Sequence, residues 1–238
     1  MRYLGAKHSI GKLLAEVMVT ECPPDIVDGY IEPFCGSLGV FKNMTDKGYN
    51  KYIATDIQAD LIQLWKELHS DKLIVPTEMT EEKYNQLKNV ESPSALKALV
   101  GFGLSYGGKF FGGYAQKWSG NWNVLKELYN SIDRIKVKIQ GKNIEFCNKS
   151  YLELNPVNML VYCDPPYKST EGYSTGKFNH EEFWETMRRW SKNNYVFISS
   201  EKAPDDFLIV WERSKRRTLN KKDRFYSYER LYIYNGAV

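Results

Sequence analysis

The chain has 238 residues, of which 42% are hydrophobic and 26% charged, and a formal charge of +4. This is ordinary globular composition, enough for one to two domains. No apolar run approaches the ~18 residues of a membrane span, and Met1 to Lys7 lacks the apolar core of a signal peptide, so no membrane contact and a cytoplasmic protein are expected. Cys22, Cys35, Cys147 and Cys163 form no Cys-x-x-Cys pair and His8, His69 and His180 are scattered, so no metal site is expected.

In chain order, Ile10, Leu13, Leu14, Val17 and Met18 have helical spacing. Ala6-x4-Gly11-Lys12 approaches a phosphate-binding loop. Leu13 stands where a Mg²⁺-binding hydroxyl is needed and no strand can feed the loop, which sets that reading aside. Residues 27–32 predict a first strand. Pro33-Phe34-Cys35-Gly36-x-x-Gly39 follows, its glycines allowing a tight turn and close approach to a ligand before a helix through Asn43 to Lys47. Tyr52 to Asp56 predicts a second strand. Asp56 lies 17 residues beyond Gly39, where a carboxylate can accept hydrogen bonds from ribose hydroxyls; alternatively it caps a helix over 60–69.

Residues 60–140 break the alternation of strand and helix. Helices are predicted over 60–69, 81–89, 94–101 and 123–135, and the region reads as an insertion between two parts, 1–59 and 141–238, of one sheet domain. Within it, Gly103 to Asn123 holds six glycines in 21 residues, interleaved with aromatics and two lysines. Rings, flexible backbone and cations together suit contact with bases and phosphates, with Lys109, Tyr114 and Lys117 as candidates. The alternative is a packed loop with aromatic anchors.

Residues 144–147 predict another strand with Asn148 to Tyr151 as its edge loop. Lys168 to Lys177 lacks apolar periodicity and reads as a mobile loop closing over a site. Residues 179–192 predict a helix with Phe183, Met187 and Trp190 inward. Tyr195 to Ser199 predicts a strand. Phe207 to Trp211 and Arg230 to Tyr234 predict the last two, joined by a basic segment. There Lys215, Arg216, Arg217, Lys221, Lys222 and Arg224 fall within ten residues, and Lys221, Lys222 and Arg224 are candidates for phosphate contact.

The sharpest signal lies between these. Met159 to Cys163 suits a strand buried on both faces. Asp164, Pro165, Pro166 and Tyr167 follow. The prolines forbid a continued ladder and leave carbonyl acceptors without N–H donors. An ionised Asp is also acceptor-only. Such a loop, at the sheet edge where open α/β folds bind ligands, fits a planar group bearing an NH₂, with Tyr167 stacked on its plane.

Tyr3-x-Gly5-x-Lys7, Phe34-Cys35-Gly36-x-x-Gly39, Asp56, a long insertion and Asp164-Pro165-Pro166-Tyr167, in that order, resemble the Dam-type DNA adenine methyltransferases in their alpha arrangement of motifs. The likeness spans nearly the whole chain. It implies a Rossmann-like, doubly wound, mostly parallel α/β sheet with a helical target-recognition insertion. It also implies methyl transfer from S-adenosylmethionine to the exocyclic amino group of adenine. Tyr3, Lys7, Pro33, Phe34, Gly36, Gly39, Asp56, Ser150 and Tyr151 would then line the cofactor pocket, and Asp164 would sit where cofactor and adenine meet. The Gly-rich aromatic run does not match the recognition segment of Dam itself, so the resemblance carries no target sequence. The partner it implies is duplex DNA with the adenine flipped out, since the base cannot be reached inside the helix. A cognate restriction endonuclease on another polypeptide is a further implied partner, and the short single-domain form is similar to phage or prophage enzymes. The alternatives are a methyltransferase for RNA adenine or a protein Gln amide, whose members more often carry Asn at the position of Asp164, and a non-enzymatic DNA-binding module, against which intact Gly36, Gly39, Asp56 and Asp164 argue.

Overall fold

Seven segments in which β-branched and aromatic residues alternate, or run together, pair into one sheet. In chain order the elements are α1 (Gly11–Glu21), β1 (Gly29–Glu32), α2 (Phe41–Met44), β2 (Tyr52–Asp56), α3 (Ala59–His69), α4 (Glu81–Lys88) and α5 (Ala95–Gly103), followed by α6 (Val124–Ile139), β3 (Ile144–Asn148), β4 (Met159–Cys163), α7 (His180–Trp190), β5 (Tyr195–Ser200), β6 (Phe207–Thr218) and β7 (Arg224–Tyr234). The computed structural model describes residues 1–118, 123–167, 178–218 and 224–237, and only the backbone of residues 117–118, 215–218, 224–227 and 237. No helix among them is long and apolar enough to cross a membrane.

The strand order is β3-β2-β1-β4-β5-β7-β6. β1 to β5 are mutually parallel, while β7 runs antiparallel to both β5 and β6. This is the doubly wound, mostly parallel sheet expected, and strand order reverses beside β1, where such sheets bind ligands. β4 lies centrally with all five residues buried, which is why its sequence is an unbroken apolar run rather than an alternation. Its side chains still divide by face. Leu160 and Tyr162 join the apolar cluster shared with α1, α3, α5 and α6, while Met159, Val161 and Cys163 join the one closed by Phe183, Met187 and Trp190 of α7. Those three α7 residues face inward as predicted, each at most 2% exposed.

Two expectations need correction. The helix after the glycine loop is a single turn, because the Thr45 hydroxyl donates to the carbonyls of Lys42 and Lys138 and Gly48, at φ +90°, turns the chain away. The segment between the last strands is also mostly strand. β6 and β7 continue pairing from Arg213–Glu229 to Thr218–Arg224, past Ser200–Arg230, where β7 leaves β5. At ~3.4 Å per residue this two-stranded arm reaches roughly 17 Å beyond the sheet. It was missed because a run of charged residues between two strands has no apolar periodicity to signal a strand.

Between β2 and β3, Asp60 pins the helical region to α3. Its carboxylate accepts from the Ser94 backbone N–H at 2.8 Å and lies 3.6 Å from the Lys97 ammonium. Ser94 and Asn123 cap α5 and α6, each accepting from the backbone N–H three residues on, as residues with short polar side chains do.

Candidate active site

Parallel strands bring their carboxyl ends to one edge, and the acids of three strand ends collect there. Glu32 ends β1, Asp56 ends β2 and Asp164 follows β4. Together with the glycine loop, the N-terminal segment and Tyr151 they line a cavity of about 1140 Å³. A single small-molecule site usually occupies ~300–1,000 Å³, so this one has room for more than one ligand of ordinary size.

At one end lies the loop after β1. Gly36 has φ +44°, the left-handed region that favours glycine, and a Cβ there would approach the Tyr3 ring at 3.1 Å. Gly39 also lines the cavity, and a Cβ there would press on the Lys7 backbone N at 3.0 Å, so it gives the N-terminal segment room to approach the loop. Asp56 accepts from the backbone N–H of Gly36 through Oδ2 and of Gln58 through Oδ1, both at 3.0 Å. It therefore ties the loop to the turn before α3. Burial raises its pKa, against the pull of the Gln58 and Gly36 N–H groups. Ser150 opens a short turn as a capping box with Glu153. The Tyr151 ring stands 5.3 Å from Phe34, and burial, with Glu182 and Cys163 nearby, pushes its hydroxyl up to about 12. Pro33 is buried behind the loop, its carbonyl accepting from Thr55, and does not line the cavity.

At the other end Asp164, Pro165, Pro166 and Tyr167 form one wall. Lys7, which the resemblance assigned to cofactor, reaches into it. Its Nζ donates to Asp164 Oδ1 at 2.8 Å, lies 3.4 Å from Glu229 Oε1 and sits 4.7 Å from the centre of the Tyr167 ring. Burial pulls the Lys7 ammonium down, but Asp164 and Glu229 outweigh it and its pKa is raised. Burial raises the Asp164 carboxyl above the usual carboxylate range, opposed by Lys7. An N–H donor is thus held between an acceptor and an aromatic face.

Two acids here escaped the sequence reading. Glu32 is 2% exposed and accepts from the Tyr30 hydroxyl at 3.0 Å; burial lifts its carboxyl well above the usual range. An acid closing a four-residue buried strand was the available signal. Glu229 accepts from the Tyr167 hydroxyl as well as lying against Lys7. It shares a strand face with Leu231 and Ile233, which pack in the core, so a charge on the inward side of an alternating strand was its signal.

The Gly-rich aromatic run behaves differently from its reading as a base-contacting surface. Phe110 and Phe111 pack on each other, on Phe102 and on Tyr84, at centroid distances of 4.6–5.0 Å. The Tyr114 ring lies 5.3 Å from Tyr84 and its hydroxyl donates to the Met79 carbonyl. Tyr84, 2% exposed, shares a hydrogen bond with Ser105 and accepts from the Gly113 N–H. The half-buried rings of Phe110, Phe111 and Tyr114 anchor the loop on the helices, and Phe110 also lines the cavity. Lys109 remains exposed and lines the cavity mouth. Lys117 lies in a short helical turn, and Arg224 opens β7 at the far end of the arm. Lys221, Lys222 and the segment 168–177, read as a closing loop, lie outside the described residues.

The sequence matches the profile of the D12 class N6 adenine-specific DNA methyltransferases over residues 3–97 and 106–232. It is 25% identical to the type II methyltransferase M.FokI of Planomicrobium okeanokoites, over 95% of this chain and 39% of that protein. It is 28% identical to the retron Ec67 DNA adenine methylase of Escherichia coli, over 64% of this chain and 60% of that protein. The chain thus spans less than two thirds of the length of either relative. A solved Pyrococcus horikoshii protein, provisionally described as an RNA methyltransferase, superposes with a TM-score of 0.44 at 9% identity, covering 95% of this chain and 84% of its own.

Proposed function

This chain belongs to the D12 class N6 adenine-specific DNA methyltransferases, and we propose that it transfers a methyl group from S-adenosylmethionine to the exocyclic amino group of a flipped adenine in duplex DNA. The observation that carries this is the seat of the Lys7 ammonium, 2.8 Å from Asp164 and over the Tyr167 ring. An amino group on a flat ring needs the same acceptor and the same π-face. S-adenosylmethionine supplies the methyl group as an electrophilic sulfonium. The glycine loop at Gly36, with Tyr3, Phe34 and Tyr151, forms the wall that would receive it. Asp56 retains lone pairs beyond the two N–H groups it already accepts, so ribose hydroxyls can bond there.

Adenine's amino nitrogen is a poor nucleophile because its lone pair is delocalised into the ring. When Asp164 and the Pro165 carbonyl accept its two N–H bonds, the nitrogen is favoured in a pyramidal, attacking geometry. Tyr167 replaces the stacking that the base loses on leaving the helix. Burial raises the Asp164 pKa, which suits it to take up the proton that the amine sheds after attack. Most of the acceleration is then positioning of two bound reactants.

Outside the cavity, the β6–β7 arm carries Lys215, Arg216 and Arg217 on one strand and Arg224 on the other, and Lys109 stands at the mouth. We assign these, with Lys221 and Lys222, to phosphates, and residues 60–140 to target recognition. A type II methyltransferase among the relatives supports a restriction endonuclease of the same specificity as partner.

The test is expression in a host devoid of adenine methylation, followed by sequencing of its DNA for N6-methyladenine. A single methylated motif is expected, and it identifies the target. Purified protein given labelled cofactor with duplex DNA, RNA and protein in parallel should label DNA alone. Label in RNA or a glutamine amide instead would overturn the assignment.

A further inference from the structure

The proposed reaction leaves a charge unaccounted for. Lys7 is buried, 8% exposed, and its ammonium rests on Asp164. If the target amine takes the Asp164 carboxylate, that ammonium loses its nearest partner inside a cavity wall. A buried charge stripped of its partner is strongly unfavourable. The structure holds a second carboxylate within reach. Glu229 Oε1 is 3.4 Å from Lys7 Nζ, so the ammonium exchanges partners by moving about an ångström, with no rotation out to water. The same oxygen receives the Tyr167 hydroxyl, which fixes the plane of the ring that faces the base. Glu229 is itself held on β7, one residue from that strand's last pair with β5, and it pairs with Arg213 of β6.

We propose that Glu229 is a positioning residue, which receives the Lys7 ammonium when the target base displaces it from Asp164 and holds the Tyr167 ring in the stacking plane. This rests on the reading of the site as one for a flipped adenine. Glu229 touches neither reacting atom. It makes entry of a neutral base compatible with a cation that stays buried. The site holds one ammonium between two carboxylates, and with the base bound it would hold the same ammonium on Glu229 and the base on Asp164. Lys7 and Glu229 should therefore be coupled energetically.

The test uses the full chain and a duplex bearing the methylated motif identified in vivo, with 2-aminopurine at the target adenine. Glu229→Gln keeps the oxygen that Tyr167 needs and removes the charge. Base flipping, read as 2-aminopurine emission, and kcat/KM on unmodified duplex are expected to fall on the order of tenfold to a hundredfold, with cofactor affinity within about twofold of wild type. With Lys7→Met as background no ammonium needs a second seat, and the same substitution should then cost less than about threefold. Unchanged flipping in Glu229→Gln, or an equal loss in both backgrounds, would overturn the proposal, the second outcome making Glu229 only a strut of the strand. A wild-type chain that methylates the duplex without raising 2-aminopurine emission would instead overturn the flipped-base reading, and this inference with it.

Discussion

Two loops of similar make-up border the cavity and meet opposite fates. The turn at Asp164 to Tyr167 and the run Gly103 to Asn123 both mix aromatics with backbone-shaping residues, and both read as surfaces for a base. In the first, Tyr167 points its ring at an ammonium that rests on the acid three residues before it. In the second, Phe110, Phe111 and Tyr114 are taken up by Phe102 and Tyr84, which α5 and α4 supply. Composition does not separate the two. The difference is what each loop's neighbours offer: acids at a sheet edge in one case, spare aromatic rings in the other.

The strongest way to break this contrast is through Asp164. Asp164→Ala should lower methyl transfer by on the order of 10²–10³, as for loss of a placed polar partner in the transition state, while DNA binding persists. Near-normal turnover would remove the catalytic loop from the chemistry. The same carboxylate sets a pH signature. Burial raises its pKa, and activity needs it ionised, so the acid limb of kcat/KM should lie above the ordinary carboxylate value. Lys7 opposes that rise, so Lys7→Met should move the limb to still higher pH; a shift downward would contradict the pairing.

The packed loop has its own test in two adjacent glycines. Gly108 has φ +68°, and a Cβ there would come within 2.5 Å of the Tyr3 backbone N; Gly107 has φ +64° with nothing near. Gly107→Ala should cost about 1–2 kcal/mol, the left-handed penalty alone. Gly108→Ala adds overpacking of about 1–3 kcal/mol and should displace Tyr3 from the cavity wall. Denaturant unfolding measures both. Equal costs would mean that the loop does not seat against the N-terminal segment.

Tyr167 sharpens the comparison further. Tyr167→Ala should lose roughly 10- to 150-fold in activity, the worth of one stacked base. Tyr167→Phe keeps the ring but releases Glu229, and should remain within about tenfold of wild type. Equal, severe losses would make the hydroxyl and its bond to Glu229 the essential feature instead.

The smallest effect belongs to the part of the glycine-rich run that stays exposed. Lys109→Ala should weaken binding to all duplexes alike and flatten the salt dependence by about one unit of slope, as for one phosphate contact. Loss confined to the methylated motif would instead place Lys109 on a base edge.

The sequence alone determined whatever is settled by neighbours a few positions apart. The apolar run of β4 with its acid and two prolines, the inward face of α7 and the glycine turn after β1 are all local, because strand and helix periods and proline's fixed φ act within a handful of residues. The doubly wound, mostly parallel sheet followed from the resemblance those motifs carry, while the order of its strands is seen only in the structure. Tertiary structure alone decided which distant groups meet. Lys7 and Asp164 are 157 positions apart, and Glu229 lies 62 beyond Tyr167. They converge because β7 runs against β5, so its early residues arrive at the edge where the parallel strands end. The rings of Phe110, Phe111 and Tyr114 pack on the helices for the same kind of reason. Tyr84 and Phe102 are held beside them by helices whose packing depends on the whole fold, and no local period records that they will be there.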